Sequence, residues 1–333
     1  HTFDQILPSR IYFDLHPTWY SLKYGQRKKD GTQLCLTNQK MRRQFVANAL
    51  EWLKKNPQAE YLAISQNDNQ SYCDCASCKS VLAEEGAQSG AILRFVNAVA
   101  EEIEKVHPDM KIVTLAYQYT EKPPRKTRPR CNVIVQLCSI DSSSAQPLLS
   151  GAQNKDFAKN FFAWRKICQS LLIWNYMANF HNYLIPFPDY RVVGSNIRNF
   201  SRNNVTGIFA QGDSQSITGD FLPMRAWVVA HLLWNPKADV NALRKEFLSG
   251  YYGEAGPILD QYLNCLSDEL EKSGAKLSCT LNDTSWITLA GLNRATALFD
   301  QARDKVKGNS PLEQRVDIAG MPLEALWLEF LKK

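Results

Sequence analysis

The sequence predicts an α/β protein built on a parallel sheet, a TIM-like (β/α) barrel that lacks its first strands in this stretch of chain and carries a helical C-terminal extension. Three observations carry that expectation. Short apolar runs alternate with helical patterns. The runs end in polar and aromatic residues, as barrel strands do where they open into a mouth. No glycine-rich phosphate loop follows any run, which removes the usual reason for a doubly wound sheet. Residues 1–235 are therefore expected to form the barrel portion, and 236–333 a helical region packed on it.

Taken in order, Ile11–Leu15 (IYFDL) alternates weakly and reads as a first strand. Thr37 or Asn38 offers a cap for a helix over 41–55, with Phe45, Val46, Ala49, Leu50 and Leu53 on one face and Asn56-Pro57 at its end. The run 61–65 is the next strand. Helical spacing recurs over 89–106, where Ile92, Val96, Val99 and Ile103 oppose Glu101, Glu102 and Glu104. Strands are expected over 112–117, 133–138, 171–176 and 205–211, separated by helices over 155–167 and 190–200. Beyond Phe221 the pattern is helical throughout. Six strands fall short of the eight of a complete barrel.

Composition bounds the function. The 333 residues are 44% hydrophobic and 22% charged with a net charge of +6, the balance of a folded enzyme-sized chain. The one basic run, between Lys122 and Arg130, is proline-rich and lies between two strands, so it reads as a solvated loop; no nucleic-acid partner is expected. No apolar run approaches the roughly 18 to 20 residues that span a bilayer. His1 is not a natural start and the last residues stop inside a helical pattern, so both ends read as cut from a longer polypeptide.

The expected strand ends collect Asp14 and His16; Asn67 and Asp68; Tyr117, Gln118 and Tyr119; Asp141; Trp174, Asn175 and Tyr176; Gln211 and Asp213. This set is rich in aromatic rings, amides and carboxylates. Sugars present apolar faces that stack on Trp and Tyr, and hydroxyls that pair with amides and carboxylates, so a glycan or glycoprotein is the expected partner. Asp68 is the candidate acid and Asn67 its catalytic neighbour, a division that suits a sugar whose own acetamido oxygen attacks the anomeric carbon. His16, Trp19, Tyr117, Tyr119, Trp174, Asn175, Tyr176, Gln211 and Asp213 are candidate binding residues. No HxxxH or HExxH pattern marks a catalytic metal, and no cofactor motif is present. Cys73, Cys75 and Cys78 form CxCxxC. With Cys35 they read first as two disulfides and second as a structural zinc site. Either way they pin the loop that carries Asp68.

Several segments in order (HTFDQILP, YFDLHPTWYSL, QLCLTN, ISQNDN with CDCASC, TLAYQYT, IWNY, and LLWNP followed by EFLSGYYGEAG) resemble the domain-of-unknown-function family 4838. Some members of that family form glycoside hydrolase family 163, endo-β-N-acetylglucosaminidases acting on complex N-glycans. The resemblance implies a TIM-like barrel, an upstream domain, and export to the periplasm or cell surface in Bacteroidetes-like bacteria; the chemistry expected of Asp68 and Asn67 is retaining glycoside hydrolysis, with substrate assistance as one route. Asn67 and Asp68 match the family pattern. Thr18, Asn175 and Ala210 stand where it has carboxylates, which implies as an alternative a non-catalytic glycan-binding barrel that has lost a catalytic carboxylate.

Overall fold

The computed structural model describes residues 1–216 and 218–332. Two short helices, α1 (Phe3–Ile6) and α2 (Ser9–Tyr12), lead into a hairpin of β1 (Leu22–Lys23) and β2 (Gln26–Arg27). Then come α3 (Gln39–Lys55), β3 (Tyr61–Ala63), α4 (Ala76–Glu85), α5 (Ser89–Glu104), β4 (Lys111–Ala116), β5 (Val133–Cys138), α6 (Lys155–Ile167), β6 (Leu171–Tyr176), α7 (Val193–Arg202) and β7 (Gly207–Gln211). The rest is helical: α8 (Leu222–Trp234), α9 (Val240–Tyr252), α10 (Gly256–Ser273), α11 (Leu289–Val306) and α12 (Ser310–Leu331).

The main sheet has the order β3-β4-β5-β6-β7. Leu62 pairs with Ile112 and Ile112 with Val133, both parallel. A strictly sequential order has no switch point of the doubly wound kind and is the order of a (β/α) barrel. Five strands are fewer than a closed barrel needs, so the architecture is an α/β fold with a five-stranded parallel-type sheet flanked by helices.

The strand expected over Ile11–Leu15 is corrected: this stretch is α2 and a turn. Pro8 presets the helical entry, Asp4 Oδ1 accepts the Ser9 N–H at 2.8 Å, and Ile11 and Leu15 are exposed, so no sheet face is there to bury them. Asp14 and His16 accordingly do not stand at a strand end.

The chain divides into two compact units, His1–Cys138 with Lys159–Ile173, and Ser139–Ala158 with Trp174–Lys333; the expected division at residue 235 falls inside the second. In the first unit Asn38 caps α3, its Oδ1 accepting the Met41 N–H at 3.0 Å. Met41, Phe45, Ala49 and Leu53 then bury one face. Phe3, Phe45 and Phe95 meet edge to face at centroid distances of 6.0, 5.7 and 5.1 Å, joining α1, α3 and α5. In the second unit α10 and α11 share a core of Leu259, Leu263, Leu266, Leu292 and Phe299, with Tyr262 edge-on to Phe299 at 5.0 Å. A buried ion pair, Arg244 Nε to Asp260 at 2.7 Å, ties α9 to α10. No helix among the described residues is long and apolar enough to cross a membrane.

Candidate functional site

In the first unit the polar groups converge just past the ends of β3 and β4. The Tyr117 hydroxyl donates to Asp68 Oδ1 at 3.0 Å, and Gln118 Nε2 donates to the same hydroxyl at 3.0 Å. Gln70 Nε2 donates in turn to Gln118 Oε1 at 2.6 Å. On the other side His1 Nε2 lies 3.8 Å from Asp68 Oδ2, with its Nδ1 2.9 Å from the Gln66 carbonyl and its ring 5.5 Å from that of Tyr117. Tyr117 is buried while the Asp68 side chain is 60% exposed. The carboxylate is therefore gripped at one oxygen by Tyr117 and flanked at the other by the His1 ring, in a side chain that is largely exposed.

The backbone supports this placement. Gln118 has a φ of +51°, a left-handed conformation that few non-glycine residues adopt. The residue is held there by its own side-chain bonds and by the turn that follows, where Thr120 Oγ1 accepts the Tyr117 N–H at 3.0 Å. Strain of this kind collects where the surroundings over-determine a residue, as at binding sites. Beneath it the buried Gln66 donates to the Tyr117 carbonyl and to Thr120 Oγ1, linking β3 to β4.

Asn67 does a different job from its neighbour. Its Oδ1 accepts the Asp4 N–H at 3.0 Å and its Nδ2 donates to the Thr32 carbonyl at 2.9 Å. Gln33 completes the bracket: its Oε1 accepts the Asn67 N–H, and its Nε2 donates to the Asn67 and Asn69 carbonyls. The side chain of Asn67 thus fixes the loop, and that of Asp68 projects from it. His16 is exposed and stacks at 4.0 Å on Trp19, which is itself buried beneath it and beside Tyr12. Tyr119 lies 5.2 Å from the ring of Tyr72, and burial pushes its hydroxyl well above its usual range. Asp14 pairs with Lys29 at 2.6 Å.

The second unit holds the other expected residues. Trp174 Nε1 donates to Gln211 Oε1 at 2.7 Å, and the indole lies parallel to Tyr176 and edge-on to Phe209. Alternation along β6 puts Trp174 and Tyr176 on one face. Asn175, on the other, accepts the Ser139 hydroxyl at 3.1 Å and is buried. Asp213 turns into its own loop: it accepts the N–H groups of Gln215 and Ser216 and the Ser216 hydroxyl. Burial pushes the Asp141 carboxyl above its usual value.

Sequence reasoning passed over one polar network in this unit. Arg225 donates to Asp189 Oδ1 at 2.5 Å and to Asp220 Oδ2 at 2.6 Å, lies over the Tyr190 ring, and shares Asp220 with the Tyr190 hydroxyl at 2.6 Å. A cavity of about 380 Å³ adjoins it, lined by Met177, Tyr183, Ala210, Asp213, Asp220 and Leu233 among others. The three charged residues lie on separate segments, and only DY at 189–190 and the Asp220/Arg225 spacing hint at them in sequence.

The cysteines of CxCxxC and Cys35 come together in the first unit, with all four sulfurs within 4.8 Å of one another. Cys35, Cys73 and Cys78 are buried and Cys75 is partly so. Hydrogen bonding from Cys35 and then Cys78 holds the Cys73 thiol far below its ordinary value, and the contact with Cys73 pushes Cys35 up to about 11.

The fold class is α/β, a sequentially ordered sheet of parallel type flanked by helices. The chain belongs to the family described as Domain of unknown function (DUF4838), which matches residues 1–264. Among solved structures it is similar to a point mutant of the Thermobaculum terrenum O-GlcNAc hydrolase, at 12% identity and a TM-score of 0.47, with 89% of this chain covered. The chain spans 64% of the length of that protein. No curated protein matches the sequence.

Proposed function

We propose that the protein is a glycoside hydrolase acting on N-acetylglucosamine-containing glycans, endo-β-N-acetylglucosaminidase-like and retaining, with Asp68 as its key carboxylate. The observation that carries this reading is the Asp68–Tyr117 arrangement: one carboxylate oxygen accepts the buried Tyr117 hydroxyl, the other lies 3.8 Å from His1 Nε2, and the side chain as a whole stays largely exposed. A carboxylate held in this way accepts the N–H of a 2-acetamido group. Its grip turns the acetamido carbonyl oxygen toward the anomeric carbon, the geometry that substrate-assisted hydrolysis needs. Family membership supports the substrate class, since the resemblance extends to members that cleave N-glycans.

A second reading, a glycan-binding barrel that does not hydrolyse, is favoured by the other acids. Asp14 is paired with Lys29, Asp213 is turned into its own loop, and Asn175 is an amide. Incubation with a glycoprotein bearing complex N-glycans, followed by mass spectrometry of released glycan, separates the two. Release by the native protein, lowered about 10²- to 10⁴-fold in Asp68→Asn with glycan binding kept, is the expected result. Binding without release by the native protein would overturn hydrolysis and leave the binding reading. Undiminished release by Asp68→Asn would remove Asp68 from the mechanism.

A further inference from the structure

We propose that Cys35, Cys73, Cys75 and Cys78 hold one zinc ion in a closed, all-thiolate tetrahedral site. The four sulfurs lie within 4.8 Å of one another, and Cys35 Sγ is 3.7 Å from Cys75 Sγ. A tetrahedron with Zn–S bonds of about 2.3 Å has S–S edges of about 3.8 Å, so the cluster has the span of a four-thiolate zinc site. A pair of disulfides would instead sort four sulfurs into two couples at about 2 Å. No disulfide joins any two of these four cysteines.

The surroundings suit thiolates. The Leu22 N–H donates to Cys73 Sγ at 3.3 Å, so the hairpin β1–β2 supplies an amide to the cluster. The Thr37 hydroxyl lies 3.3 Å from Cys78 Sγ and 3.7 Å from Cys35 Sγ. Cys75 caps α4 and Cys78 sits in its first turn, where the helix N-terminus favours negative charge. On binding, the protons that the sulfurs still carry pass to solvent and each sulfur donates a lone pair to the ion; no oxidant is involved. Four protein ligands leave no open position, so the site is structural and not catalytic.

Its mechanical role follows from what the ligands adjoin. Cys35 is two residues from Gln33, whose side chain brackets Asn67 and Asn69. The other three ligands follow the Asp68 loop directly. Zinc therefore fastens the segment ahead of α3 to the loop that presents Asp68.

The test is metal analysis of the full chain purified under reducing conditions without chelator. About one zinc per chain is expected, falling to near zero in Cys75→Ser and staying near one in Cys131→Ser, whose cysteine is exposed and outside the cluster. Should Cys75→Ser fail to fold, exchange of the native protein into cobalt still decides, because four thiolates give an intense sulfur-to-cobalt charge-transfer absorption. Absence of metal would overturn the proposal, and four fewer thiols titrating in denaturant, in a parallel preparation made without reductant, would put disulfides in its place. One iron and no zinc would overturn the choice of ion. None of these outcomes depends on whether the protein cleaves glycans.

Discussion

At the scale of single residues, Asp68 and Asn67 are adjacent in sequence and opposite in use. Asn67 has both side-chain polar atoms on backbone groups of α1 and of the segment ahead of α3, whereas the Asp68 side chain is largely exposed. What keeps Asp68 in register is the Tyr117 hydroxyl, which sits between Gln118 and the carboxylate. Tyr117→Phe retains the buried ring and removes the hydroxyl, with its bonds to Asp68 and Gln118. We expect kcat to fall about 10- to 100-fold with KM changed far less, since positioning is lost and surface contacts are not. Stability should fall by about 1 kcal/mol, the net worth of an ordinary hydrogen bond, readable as a shift of the denaturant midpoint. An unchanged kcat would show that Asp68 holds its orientation without Tyr117. The place of Asp68 just past a strand was legible in the sequence because an acid flanked by amides closes an apolar run. The roles of Asn67 and Gln118 were not, because they depend on partners at Thr32, Asp4 and Gln70 that no local pattern reveals.

At the scale of elements, a helix with a full apolar face was legible and one without was not. The α5 face of Ile92, Val96, Val99 and Ile103 is buried as its spacing implies. Helix α4 buries only Cys78 and Glu85, so periodicity passed over it. Glu85 is nevertheless the peg on which the basic loop after β4 hangs. Its carboxylate accepts the Lys126 and Thr127 N–H groups at 3.0 and 3.1 Å, the Thr127 hydroxyl at 2.6 Å, and Arg94. Gly86, in the left-handed region at φ +68°, ends the helix where a side chain would strike the Arg125 guanidinium. Burial alone would raise the Glu85 value, but these donors outweigh it and take it from 4.5 to about 2. A depressed folded value adds stability that is present above the ordinary 4.5 and is lost as pH falls toward about 2. Glu85→Gln should cost about 2 to 3 kcal/mol at neutral pH, because Arg94 keeps Glu84 and is not left unpaired. Urea titrations at stepwise lower pH should show the native protein losing that advantage between 4.5 and 2, with the variant flatter over the same window. Parallel curves would show that another acid carries the dependence.

At the scale of the whole molecule, the two compact units are stabilised by different means. The second unit rests on the α10–α11 core and on buried charge pairs such as Arg244 with Asp260 and Arg225 with Asp189 and Asp220. The first has its Phe3–Phe45–Phe95 cluster on one side, while the hairpin, the Gln33 segment and the Asp68 loop are joined largely by polar bonds and by the four cysteines. Segments poor in buried apolar contacts open at lower free energy than the core, so a cross-link there has a local effect. A structural zinc ion adds folding free energy to the part it binds and to nothing that stays folded without it. Hydrogen exchange followed by mass spectrometry, with and without a strong chelator, therefore has a defined expected pattern. Residues 20–37 and 66–85 should lose protection when the metal is stripped, and the helices between 222 and 331 should not change. Equal loss across both regions would mean that the cysteine cluster supports the entire chain. Loss in neither would mean that the loop bearing Asp68 is held by the Gln33 and Asn67 bonds alone.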